Sequence, residues 1–75
     1  MIRPGSMVKL SPPIYSSPLF SGPLDGRLPT TGEMLKGQVG LVVGVLADEG
    51  RIIEALIWCP TGLGWKDVSW LDEIH

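Results

Sequence analysis

Between Ser11 and Pro29 the chain reads SPPIYSSPLFSGPLDGRLP, and five of its seven prolines fall within those residues. Proline fixes φ and removes a backbone donor, so a segment interrupted this often cannot form a helix or a central strand. The same segment carries Ile14, Tyr15, Leu19, Phe20, Leu24 and Leu28. Disordered linkers are poor in large apolar side chains, so this stretch is expected to lie against something. The rest of the fold has to be built around one long, non-helical connection.

A chain of 75 residues leaves room for a single domain, at the size where one core is only marginally sufficient. Its ten glycines and seven prolines favour short strands joined by turns over a helical bundle. Met7, Val8 and Leu10 around Lys9 predict a first strand, introduced by the turn Arg3-Pro4-Gly5-Ser6. VGLVVGVLA, Val39 to Ala47, is valine-rich without a helical stripe and reads as a strand. Asp48-Glu49-Gly50 is a tight-turn signal, and RIIEALIW, Arg51 to Trp58, is the antiparallel partner. Cys59-Pro60-Thr61-Gly62 turns the chain into a fourth strand, Leu63 to Lys66. Asp67 can cap a single helical turn in which Val68 and Leu71 share one side, before Glu73-Ile74-His75 closes the sheet. The expected architecture is all-β: one domain over 1–75 with five strands, an extended proline-rich loop over 11–35, and a one-turn helix before the last strand.

Strand alternation divides the central hairpin into two faces. One carries Val39, Leu41, Val43, Val45, Ile53, Ala55 and Ile57, which with Val68 and Leu71 form the expected core. The other carries Val42, Leu46, Ile52, Leu56 and Trp58, with Glu54 as its single charge. A small barrel has one interior, so this second face calls for a cover; each such side chain is worth roughly 1.5–3 kcal/mol when fully buried. Two covers are available. The proline-rich segment can fold back and lay Tyr15, Leu19 and Phe20 across it, or another chain can dock there. A mixture is expected, with the base of the arm on its own barrel and its tip on a neighbour. The expected protein-contact set is therefore Tyr15, Leu19, Phe20, Leu24, Val42, Leu46, Ile52, Leu56, Trp58 and Trp70.

The residues argue against chemistry. Cys59 is the only cysteine, so there is no internal disulfide and no basis for a thiolate metal site. His75 is the only histidine and has no carboxylate or cysteine partner by spacing. Gly40 and Gly44 lie within a strand rather than in a phosphate-binding loop. The formal charge is −2 and the hairpin tip is acidic, which opposes binding to a phosphate backbone. The apolar run Val39 to Ala47 is too short to cross a bilayer as a helix, and MIRPGSMVKL lacks the apolar core of a signal peptide. The expectation is a soluble protein made in the cytoplasm, with no enzymatic activity, cofactor, metal, nucleic-acid partner or membrane insertion.

The order of strand, long loop, central hairpin, fourth strand, helical turn and closing strand resembles the SH3-like small barrel over nearly the whole chain. GWKDVSWL looks like the SH3 segment joining strand four, the one-turn helix and strand five. LKGQVGLVVGV looks like the second strand of KOW-type barrels. Peptide-binding SH3 domains use an aromatic groove, which the resemblance places at Trp70 with Tyr15 as a second wall. The chain departs from that pattern with Asp67 where the family has proline and Arg51-Ile52 where it has tryptophan. Compact barrels without catalytic motifs also resemble small structural proteins of tailed-bacteriophage capsids, necks and tails. That resemblance implies a virion component, made in the host cytoplasm, whose partners are proteins and include copies of itself. RPGSMVKLSPPIY, VGLVVGV and LDEI resemble a different class, the small SH3-like peripheral subunit of photosystem I, although the first loop here is longer and no basic docking face is evident. A free SH3/KOW-like binding module is the third alternative.

Overall fold

The computed structural model of the chain describes residues 1–22 and 29–75. Among the described residues, seven strands form one antiparallel sheet: β1 (Met7–Leu10), β2 (Ser16–Phe20), β3 (Pro29–Leu35), β4 (Gly40–Asp48), β5 (Arg51–Cys59), β6 (Gly62–Asp67) and β7 (Leu71–Ile74). Their order across the sheet is β3-β2-β6-β5-β4-β1-β7, and the sheet curls into a half-barrel. The expected count of five strands is too low because the proline-rich segment contributes two more. Its two arms, β2 and β3, pair as a hairpin rather than running as a loop over 11–35. Pro18 is accommodated where the β2–β3 register shifts, between Pro18 and Phe20. Among the described residues there is no α-helix before the last strand. A three-residue 3₁₀ turn, Val68–Trp70, stands there, and the Asp67 carboxylate accepts the Ser69 backbone N–H at 2.9 Å.

The central hairpin forms where its pattern predicts it. Asp48 pairs with Arg51 across a two-residue turn, with Glu49 at φ 51° and Gly50 at φ 77°. Both central residues with positive φ match the twist of the flanking strands.

The strand phase differs from simple alternation, for a specific reason. Val42 pairs with Ile57, but the next pair is Gly44 with Leu56, so Val43 is an extra residue in β4. A second shift makes Ile53 the extra residue in β5, between the pairs Leu46–Glu54 and Ala47–Ile52. Each bulge reverses the parity of everything beyond it. The side chains facing inward are therefore Val42, Ala55, Ile57 and Cys59, with Val45 partly buried against them. Val39 and Val43 are exposed, Leu41 and Ile53 are half-buried, and Glu54 is buried instead of standing on a wet face.

The core is completed by Val8, Leu10, Leu71, Leu19 and Met34. Leu19 and Met34 come from the β2–β3 hairpin and are fully buried. Two glycines allow this closure. A Cβ at Gly64 would lie 2.5 Å from Leu19 Cβ and 3.0 Å from the Phe20 backbone, so only glycine lets β2 cross β6 this closely. At Gly40 a Cβ would collide with Ile57 Cγ2 and touch Met34 Cε, so that glycine makes room for both core side chains.

Candidate functional site

The outer face of the half-barrel carries an uninterrupted apolar row. Residues opposite one another in neighbouring strands project to the same side of a sheet. Ile74 on β7 pairs with Met7 on β1, Met7 with Leu41 on β4, Leu41 with Trp58 on β5, and Trp58 with Leu63 on β6. These five residues lie in one line over four inter-strand spacings, about 19 Å. Four of them are well exposed, with Trp58 at 59%, Leu63 at 51%, Met7 at 43% and Ile74 at 37%, whereas Leu41 at the centre is half-buried. Val39, just before β4, and Val43, within it, stand two residues either side of Leu41 and are exposed as well. The next pair along the hairpin, Leu56 and Trp65, is half-buried and extends the apolar character towards β2. No charged side chain interrupts the row. Lys9 and Asp72, a cross-strand pair on β1 and β7, stand two residues along the same face.

A second feature lies where the arm meets the 3₁₀ turn. Lys66 sits on β6 beside Ala55, facing inward, and is only 3% exposed. Its ammonium donates to the Ser17 hydroxyl and, at 3.0 Å, to the Pro18 carbonyl. It also lies 5.0 Å from the Trp70 ring and 5.3 Å from the Phe20 ring, within cation–π range of both. A cleft of about 180 Å³ opens beside it, lined by Ser17, Pro18, Phe20, Lys66, Asp67 and Trp70. Tyr15 does not line this cleft; it is 72% exposed and stacks on the Lys36 ammonium at 4.6 Å. Trp70 and Tyr15 therefore do not form the two walls of one peptide groove. Lys66 instead joins the β2–β3 hairpin to the barrel.

The remaining expected contact residues divide into four groups. Val42 and Leu19 are inside the core and unavailable to a partner, the first because of the β4 bulge and the second because the arm folds onto its own barrel. Ile52, Leu46, Leu56 and Phe20 are half-buried. Ile52 lines a separate, larger cleft of about 360 Å³ with Met1, Ile2, Gly50, Arg51 and Val68. Leu24 lies outside the described residues. Trp58 is exposed, as Tyr15 and Trp70 are, and of these three it is the one that stands in the outer apolar row. Met7, Leu41, Leu63 and Ile74 were not anticipated, because the row emerges only from the register of five strands. The alternation of Met7 with Val8 and of Leu63 with Gly64 carried the available signal.

At the N-terminal edge the Met1 ammonium lies 2.7 Å from Glu73 Oε1, and the Ser6 hydroxyl donates to Oε2 at 3.2 Å. The Met1 ammonium holds Glu73 below the usual carboxylate range, and Ser6 adds to the effect. Cys59 is buried, with its sulfur 3.4 Å from Thr61 Oγ1. Among the described residues no group of three His, Cys, Asp or Glu side chains is arranged to hold a metal, and no helix is long and apolar enough to cross a membrane. No family model, curated protein or solved structure matches the chain.

Proposed function

We propose that this chain is a non-enzymatic docking subunit of a multi-subunit assembly and that the outer apolar row is its contact surface. The observation that carries this reading is the line Ile74–Met7–Leu41–Trp58–Leu63, with its largest side chain, Trp58, among its most exposed. Scattered exposed apolar residues need no explanation, but a contiguous file without a charge does. A small domain with a marginal core gains nothing in its own fold by keeping a tryptophan in water. Trp and Met are also the side chains over-represented at the centres of protein interfaces.

The finer fold assignment belongs to the same proposal. The chain order of short strand, hairpin arm, central hairpin, 3₁₀ turn and closing strand supports an SH3-like barrel. The assembly we favour is the virion of a tailed bacteriophage, by the resemblance of such compact barrels to small capsid, neck and tail proteins.

The test is incorporation. Trp58→Glu and Leu63→Glu leave the core untouched, and each is expected to keep the melting temperature while abolishing co-sedimentation with the native assembly. Full incorporation of both folded variants would sink the docking reading. Recovery of the wild-type chain as a free species, bound to nothing in its native source, would point to an independent binding module instead.

A further inference from the structure

Resting on the docking reading, we propose that the row pairs with the same row of a second copy of this chain, face to face, about a two-fold axis through Leu41. Three observations converge on a second copy. The first is charge. Ile74, Met7, Leu41, Trp58 and Leu63 carry no ionisable group, so the row offers nothing by which a charged partner could be selected. The flanking pair Lys9 and Asp72 contributes one charge of each sign, so two such faces can approach without net repulsion.

The second observation is the sequence of sizes along the row. The half-buried Leu41 stands at its centre, the long side chains Met7 and Trp58 flank it, and the aliphatic residues Ile74 and Leu63 end it. A two-fold rotation through Leu41 reverses the order. It lays Trp58 over Met7 of the second copy and Leu63 over Ile74, and repeats both contacts in the other direction. That is the reciprocity an isologous interface requires. The Trp58–Met7 contact places a thioether against an aromatic ring, which is favourable in itself.

The third observation is area. The molecule measures 30 × 30 × 20 Å, and a row about 19 Å long crosses most of its breadth. With Val39 and Val43 included, the exposed apolar side chains present on the order of 500 Å², a large part of the roughly 800 Å² per partner in a standard interface. Backbone and flanking polar atoms supply the remainder.

The experiment is sedimentation equilibrium of the full chain and three variants, with thermal unfolding of each to establish that it is folded. The wild-type chain is expected to be dimeric at micromolar concentration. Trp58→Glu and Met7→Lys are each expected to weaken the dimer by about 30-fold or more, as hot-spot losses do. The double variant Trp58→Glu/Met7→Lys places opposite charges on the two facing positions and is expected to recover about tenfold or more of that loss. Leu63→Glu with Ile74→Lys makes the same prediction at the ends of the row and replaces the first pair if either of its members fails to fold. A wild-type chain that stays monomeric overturns the proposal, as does a double variant that associates no better than its parents. Failure of self-pairing is distinguishable from failure of docking. A monomeric wild type that still enters its assembly through Trp58 removes only the second copy, whereas a Trp58→Glu chain that enters the assembly normally removes the docking surface altogether.

Discussion

Gly64 and Gly44 are separated by one strand and face opposite demands. At Gly64 the atoms a methyl group would meet include the Phe20 backbone, which cannot rotate away; at Gly44 the nearest atoms are the Leu56 side chain at 3.7 Å, an ordinary contact. Gly64→Ala is therefore expected to cost about 1–3 kcal/mol or more by overpacking, and Gly44→Ala to fall within about 0.5 kcal/mol of wild type. Urea titrations of the two variants decide it, and equal losses would show that β2 does not cross β6 as described. Glu73 gives a pH signature at the same scale. Its pKa is lowered in the folded state by the Met1 ammonium, so its contribution is fully present above the unfolded carboxylate value and is lost as pH falls through the folded one. Glu73→Gln is expected to lower the melting temperature slightly at neutral pH and leave it unchanged at acid pH, which flattens the acid limb. An unchanged acid limb would mean that the Met1–Glu73 pair does not form in solution.

At the scale of elements, the arm is the informative case. Its apolar residues do not share one role. Leu19 and Met34 fill the core, whereas Tyr15 stands out in solvent; the polar Ser17 between them accepts a hydrogen bond from the Lys66 ammonium. Leu19→Ala is expected to cost about 2–5 kcal/mol, enough to unfold much of a domain this small, while Tyr15→Ser is expected to be close to neutral for folding. Denaturant unfolding of both variants separates them. Comparable stability would show that the hairpin is detached from the barrel. The arm is thus its own barrel's lid along β2 and β3, and the role expected for Leu19 at a partner contact is replaced by a role in the core.

For the whole molecule, the strand order sets a hierarchy of protection. β5 is paired with β4 on one side and β6 on the other along nearly all its length, whereas β3 and β7 are the ends of the sheet. Native-state hydrogen exchange is expected to be slowest for the β5 amides and fastest for those of β3 and β7 that face outward. The same topology explains how one sheet can enclose a core and still present a dry row outward. The inward parity is filled by Val8, Val42, Ile57 and Leu71, and the outward parity by Met7, Leu41, Trp58 and Ile74. Protection in the β7 edge amides as strong as in β5, in a dilute monomeric sample, would contradict the open half-barrel.

Local pattern alone was enough for the all-β class, the hairpin from β4 to β5, the Asp67-capped turn and the inward positions of Ala55, Ile57 and Leu71. Those features depend on propensity, turn chemistry and parity over a few residues, which are written in consecutive positions. The two bulges are not. Val43 and Ile53 become extra residues because paired strands must keep both their hydrogen bonds and their packing, and that compromise is settled between elements. The β2–β3 hairpin was hidden for a related reason. Its prolines argue against a strand in isolation, yet at the end of a sheet, with Gly64 and Gly40 opening space for Leu19 and Met34, extended pairing becomes affordable. The outer row is the furthest from the sequence, because Met7, Leu41, Trp58, Leu63 and Ile74 come from five separate strands. Which side chains are apolar was decided residue by residue; which of them stand together in water was decided only by the register that tertiary packing imposed.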